Sequence, residues 1–141
     1  MIRVFFDSSV IISAIISKTG GSRRLMELTK ENKLTGVISQ GILEEVISKT
    51  IKIRAGEREI ISFVKDNGLL IREKVKETET EEFIGLVTDP KDLHVLAAAK
   101  LTKCQYLVTL DKKHLLQANT KKQFKPLQIV SPKEFLENYA R

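Results

Sequence analysis

The chain has 141 residues, 42% hydrophobic and 30% charged, the size and apolar content of one compact domain with its own core. Its 24 Lys and Arg against 18 Asp and Glu give a formal charge of +6, which favours polyanionic partners. Cys104 is the only cysteine, so an intrachain disulfide and a thiolate metal cage are excluded, and a reducing, cytoplasmic compartment is expected.

No stretch reaches the roughly 18 apolar residues of a membrane span. The apolar opening is interrupted by Asp7, and no small-residue cleavage site follows Val10 to Ile16, so core elements are expected there and not a signal peptide. In chain order, strands are expected at 2–6, 34–38, 69–72, 105–109 and 127–130, with helical patterns filling most of the gaps. Gly20-Gly21 is expected to end the first helix and Ser22 to cap the second. Ser39 precedes a helix with Ile42, Leu43, Val46 and Ile47 on one face, and Gly56 and Gly68 mark turns. Residues 73–88 form a charged stretch with a short helix expected around Glu81 to Val87. Asp89-Pro90-Lys91-Asp92 then has the grammar of a helix start before Leu93 to Leu101, as does Ser131-Pro132-Lys133-Glu134 near the end.

This alternation predicts a three-layer α/β fold, with a central parallel five-stranded sheet and helices on both faces, in one domain over residues 1–141. Val4-Phe5-Phe6 and Tyr106-Leu107-Val108 are apolar without alternation, as adjacent central strands covered on both faces should be.

Four acids fall where this topology brings them to one edge of the sheet. Asp7 closes the first strand, Asp111 follows the fourth, Asp92 opens the helix before the fourth, and the helix after the second supplies the last of them, Glu44 or Glu45. Taken alone, each has a structural explanation as a cap or a solvated helix residue. Together they would repel and raise one another's pKa, a cost that a divalent cation removes. Hard oxygen ligands favour Mg²⁺ or Mn²⁺ over zinc, and such a site can activate water and stabilise a leaving oxygen in phosphodiester hydrolysis.

The residues resemble the PIN domain nucleases, which include the toxin ribonucleases of prokaryotic toxin–antitoxin modules. The resemblance rests on Asp7-Ser8-Ser9-Val10, on Ser39 with Glu45 six residues later, on Asp89-Pro90-Lys91-Asp92 leading into Ala97-Ala98-Ala99, and on Val108-Thr109-Leu110-Asp111. It implies an acidic quartet of Asp7, Glu45, Asp92 and Asp111 holding Mg²⁺ or Mn²⁺. Ser9 and Thr109 match hydroxyl positions beside the first and last acids, and Asp89 is placed in the outer metal shell or as a cap. Helical periodicity does not separate Glu44 from Glu45; the family spacing from Ser39 decides for Glu45. The resemblance further implies an endoribonuclease leaving a 5′-phosphate, a homodimer, and a small antitoxin as partner.

The run from Lys112 to Lys125 contains Lys112, Lys113, Lys121, Lys122 and Lys125 with no acid. A charge run is ordinarily a solvated face, but this one adjoins the acids. With His114, and with Arg23 and Arg24 beyond the first helix, it is a candidate contact for the RNA backbone. Neither His94 nor His114 has a partner at ligand spacing, so phosphate contact is the expected role for His114. The alternative functions are a non-catalytic RNA-binding or regulatory module on the same fold, or a general RNA-processing nuclease. A phosphoacceptor receiver domain would want an acidic pair after the first strand. A haloacid-dehalogenase-type phosphatase would want a second Asp two residues after Asp7, where Ser9 stands.

Overall fold

The computed structural model describes residues 1–87 and 89–139. Strands β1 (Arg3–Phe6), β2 (Thr35–Ser39), β3 (Leu70–Arg72), β4 (Tyr106–Val108) and β5 (Gln128–Val130) form one sheet in the order β3-β2-β1-β4-β5. Every pairing is parallel. The helices are α1 (Ser8–Ile16), α2 (Gly21–Lys30), α3 (Gln40–Ile47), α4 (Thr50–Ile53), α5 (Glu57–Asp66), α6 (Pro90–Leu101), α7 (Ala118–Gln123) and α8 (Pro132–Tyr139). The architecture is the α/β sandwich expected, with helices on both faces of the sheet. No helix of the described residues is long and apolar enough to cross a membrane.

The central strands are neighbours, with Phe6 registered against Val108. Val4, Phe5, Phe6, Leu107 and Val108 are all fully buried, and each large apolar side chain removed from water contributes roughly 1.5–3 kcal/mol. The edge strand differs: Leu70 and Ile71 of β3 are 50% and 39% exposed. The carboxyl ends of β1 and β4 are thus anchored in the best-packed part of the molecule. They also flank the place where strand order reverses, since β2 and β3 extend to one side of β1 while β4 and β5 extend to the other. A crevice at that switch point is where open α/β sheets bind ligands.

Two local expectations need correction. Helix α1 stops at Ile16, before the glycines, and Gly20 occupies the cap position of α2 in extended backbone. Ser22 is buried in the first turn of α2 and does not cap it. The glycines open α2 instead of closing α1, and α8 packs alongside, with Pro132 Cβ at an ordinary contact distance of 3.4 Å from where a Cβ on Gly21 would lie. The short helix expected around residues 81–87 is a 3₁₀ segment over Glu77–Phe83. It starts earlier because the Lys76 backbone N–H donates to the Glu79 carboxylate at 2.9 Å and Arg72 pairs with the same group at 2.7 Å. Phe83 then buries its ring against Phe124, and the chain turns through Gly85 at φ +89°.

Candidate active site

Asp7 stands at the junction of β1 and α1. Its backbone takes the cap position of the helix, yet its side chain makes no cap hydrogen bond. Instead Oδ2 accepts two hydroxyls, Ser9 Oγ at 2.9 Å and Thr109 Oγ1 at 2.8 Å. Both hydroxyls also accept from the loop after β4: Leu110 N–H donates to Ser9 Oγ at 3.1 Å and Asp111 N–H to Thr109 Oγ1 at 3.0 Å. Each hydroxyl therefore spends its proton on Asp7 and its lone pair on the segment that carries Asp111. Adjacent parallel strands make this possible, and the backbone continues the pairing, with Asp7 N–H donating to Val108 O at 3.1 Å.

Asp111 uses its two oxygens differently. Oδ1 accepts from the N–H groups of Lys113 and His114, each at 3.1 Å, which closes a turn and not a helix, since α7 starts only at Ala118. Oδ2 is left facing the cluster, with His114 Nδ1 at 3.5 Å.

Asp92 arrives from the other side of the crevice. Asp89 caps α6, accepting from Lys91 N–H at 2.9 Å, and Pro90 fills the first turn, so Asp92 sits in that turn pointing at the strand ends. A helix N-terminus favours an anion. Here the opposing influences prevail, and the carboxyl is raised from 3.8 to about 6, first by burial and then by the charges of Asp89, Asp111 and Asp7, with His114 partly offsetting them. Its side chain is 13% exposed, and among the described residues no side-chain or capping donor reaches it. One ligand atom each from Asp92, Asp111 and His114 lie within 4.8 Å of one another. Two carboxylate oxygens and an imidazole nitrogen, crowded and short of positive charge, are a donor set that suits a divalent cation.

The four acids named from the sequence are not equally close. Asp7 and Asp111 are among the charges that raise Asp92, whereas Glu45 is not. Glu45 is half-buried on α3 and lines a groove of about 630 Å³ beside Pro90 and Lys91 of α6. Glu44 lines the same groove but is exposed and engaged elsewhere: Lys74 Nζ lies 2.8 Å away and holds its carboxyl below the ordinary value. His94 also faces this groove, with Nε2 at 3.1 Å from Glu77.

The basic residues divide as well. Arg23 donates to the carbonyls of Ser17 and Ile15 and stacks over Phe63, while Arg24 pairs with Glu27 and Glu31. Lys121 pairs with Glu134 at 3.6 Å. Lys112, Lys113, Lys122 and Lys125 are exposed and have no ion-pair partner among the described residues. His114 is the residue whose surroundings the sequence left unseen: its ring stands against two acids and not out on the lysine run. The signal available was its spacing, three residues after an Asp that starts a turn.

A family model described as PIN domain matches residues 3–113. Among solved structures, the chain is similar to VapBC2 from Rickettsia felis bound to a DNA fragment from its promoter, at 18% identity, covering 92% of this chain and 98% of that one with a TM-score of 0.64. It is similar to a toxin–antitoxin complex from Klebsiella pneumoniae at 16% identity, 92% and 97% coverage and a TM-score of 0.66. VapC20 of Mycobacterium tuberculosis, a sarcin-ricin loop cleaving toxin, aligns at 15% identity, 78% and 91% coverage and a TM-score of 0.57. At these identities the likeness is one of fold. No curated protein matches the sequence.

Proposed function

Since the chain belongs to the PIN domain family, we propose that it is a metal-dependent endoribonuclease acting on single-stranded RNA, the toxin of a toxin–antitoxin pair. The observation that carries this reading is the convergence of Asp7, Asp92 and Asp111 at the switch point of the sheet, with Asp92 held at about 6 by burial and its neighbours' charge.

Asp92 and Asp111 would hold Mg²⁺ or Mn²⁺, with Asp7 beside them and Glu45 completing the set from the groove wall. When bound, such a cation neutralises phosphate charge and makes water a better nucleophile at neutral pH. The chain's own contribution is placement. Ser9 and Thr109 fix Asp7 and the Asp111 loop as one unit, so the oxygens meet substrate with little reorganisation. Lys112, Lys113 and Lys122 stand beyond Asp111 and would engage the RNA backbone through its phosphates. The toxin reading draws on the fold shared with the toxin–antitoxin structures; a homodimer and a small antitoxin covering the crevice follow from the same reading.

Incubation of purified protein with single-stranded RNA, with Mg²⁺ or Mn²⁺ and a chelator control, tests this. Cleavage should require the ion and disappear in Asp111→Asn with the fold intact. Cleavage that survives chelation, or none with either ion, contradicts it.

A further inference from the structure

We infer that His114 is itself a ligand of the cation, through Nδ1, and that it gives the site a preference for Mn²⁺ over Mg²⁺. The inference rests on the metal-dependent reading above and adds a nitrogen donor that the acidic residues alone do not provide.

Three features place the imidazole there. Nδ1 lies 3.5 Å from Asp111 Oδ2 and 3.9 Å from Asp92 Oδ2. Donors around one ion with bonds of roughly 2.1 Å are separated by about 3 Å when adjacent and about 4.2 Å when opposite, so both distances lie within that span. The oxygen nearest the ring is the free one, since Asp111 Oδ1 is occupied by two backbone N–H groups. The backbone of His114 is also fixed at both ends: its N–H donates to Asp111, and its carbonyl accepts from Thr120 Oγ1 at 3.1 Å and Gln117 N–H at 3.3 Å. The turn that Asp111 closes is thus the device that brings the ring back over the acid. Imidazole is a poor partner for Mg²⁺, which prefers oxygen and retains its waters, and a good one for first-row transition ions. A lone imidazolium acting as counter-ion is the competing role, and it has the opposite consequence, because removing it would make the acids bind any cation more tightly.

The test is calorimetric binding of Mn²⁺ and of Mg²⁺ to the metal-free full chain, as wild type, His114→Ala and Asp111→Asn, with folding checked by thermal melting. The His114 side chain is 54% exposed, so its truncation should leave the fold intact. Mn²⁺ affinity should fall in His114→Ala by more than the roughly 10- to 100-fold that loss of an outer partner costs, and Mg²⁺ affinity much less. Electron paramagnetic resonance of bound Mn²⁺ should show nitrogen coupling in the wild type and none in His114→Ala. Equal weakening of both ions, tighter binding of both, or absence of nitrogen coupling overturns the inference. If wild type binds and Asp111→Asn does not while His114→Ala is unchanged, only the histidine ligand fails. If wild type binds neither ion, the metal-dependent reading fails with it.

Discussion

The junction of β1 with β4 and the first turn of α6 each bring carboxylates to the crevice, but they hold them in opposite ways. At the junction, Asp7 is 8% exposed and receives two hydroxyl protons, and the same hydroxyls tie down the loop bearing Asp111. Across the crevice, Asp92 is similarly withdrawn from water and meets no such donor among the described residues; its neighbours are mostly other acids, and its carboxyl is raised to about 6. One side is a finished hydrogen-bond network, which a folded protein needs in its interior. The other is a charge deficit built into the fold. The difference sets the two sides apart: the junction fixes geometry, and on the proposed reading α6 supplies the anion that a cation would neutralise.

The contrast is sharpened most by Asp92→Asn. In the metal-free protein Asp92 holds its proton more firmly folded than unfolded, so stability should fall as pH rises from about 4 to 6 and stay low above. The gap between 3.8 and about 6 corresponds to at most about 3 kcal/mol. Asparagine removes that penalty, so urea unfolding at neutral pH should show a more stable variant whose stability no longer declines over that range. A destabilised variant would make Asp92 a structural cap.

The junction should behave in the reverse sense. Thr109→Val removes a fully buried hydroxyl that serves both Asp7 and Asp111 N–H. It should lower stability by about 1–3 kcal/mol. Ser9→Ala makes the same kind of change at a partly exposed position and should cost about 1 kcal/mol or less. Equal melting temperatures for all three proteins would dissolve the distinction between the two sides.

The smallest effect belongs to the lysines. Because Lys121 already pairs with Glu134, the test falls on Lys112→Gln with Lys113→Gln. RNA affinity measured across a salt series should show a slope reduced by about 0.7 for each phosphate no longer neutralised, with Mn²⁺ affinity little changed. An unaltered slope returns these residues to a solvated face.

The sheet was legible because its central strands are continuous apolar runs and its helices carry explicit caps such as Asp89-Pro90 and Ser131-Pro132. The acids were legible because strand ends in this topology share an edge, so Asp7 and Asp111 could be paired across more than a hundred residues. What escaped depended on side-chain direction. Periodicity left Glu44 and Glu45 equivalent, and only the structure shows Glu44 committed to Lys74. The commitments of Arg23 to Phe63 and to backbone carbonyls are likewise tertiary. The Gly20-Gly21 pair reads locally as a stop, whereas α1 ends four residues earlier at Ile16 and the pair opens α2. Composition joins His114 to the lysines, whereas the turn at Asp111 folds it back toward Asp92.

The most direct test of the account is thermal melting of metal-free wild type and Asp92→Asn at neutral pH while Mn²⁺ is titrated in. Without ion, wild type should melt below the variant. At an ion concentration a hundredfold above the dissociation constant, binding should stabilise wild type by about 2.7 kcal/mol, or about 8 °C at roughly 3 °C per kcal/mol for a domain of this size, while the variant responds far less. A wild type that starts above the variant, or two proteins that respond equally to Mn²⁺, would contradict the claim that Asp92 is an uncompensated anion placed to receive a cation.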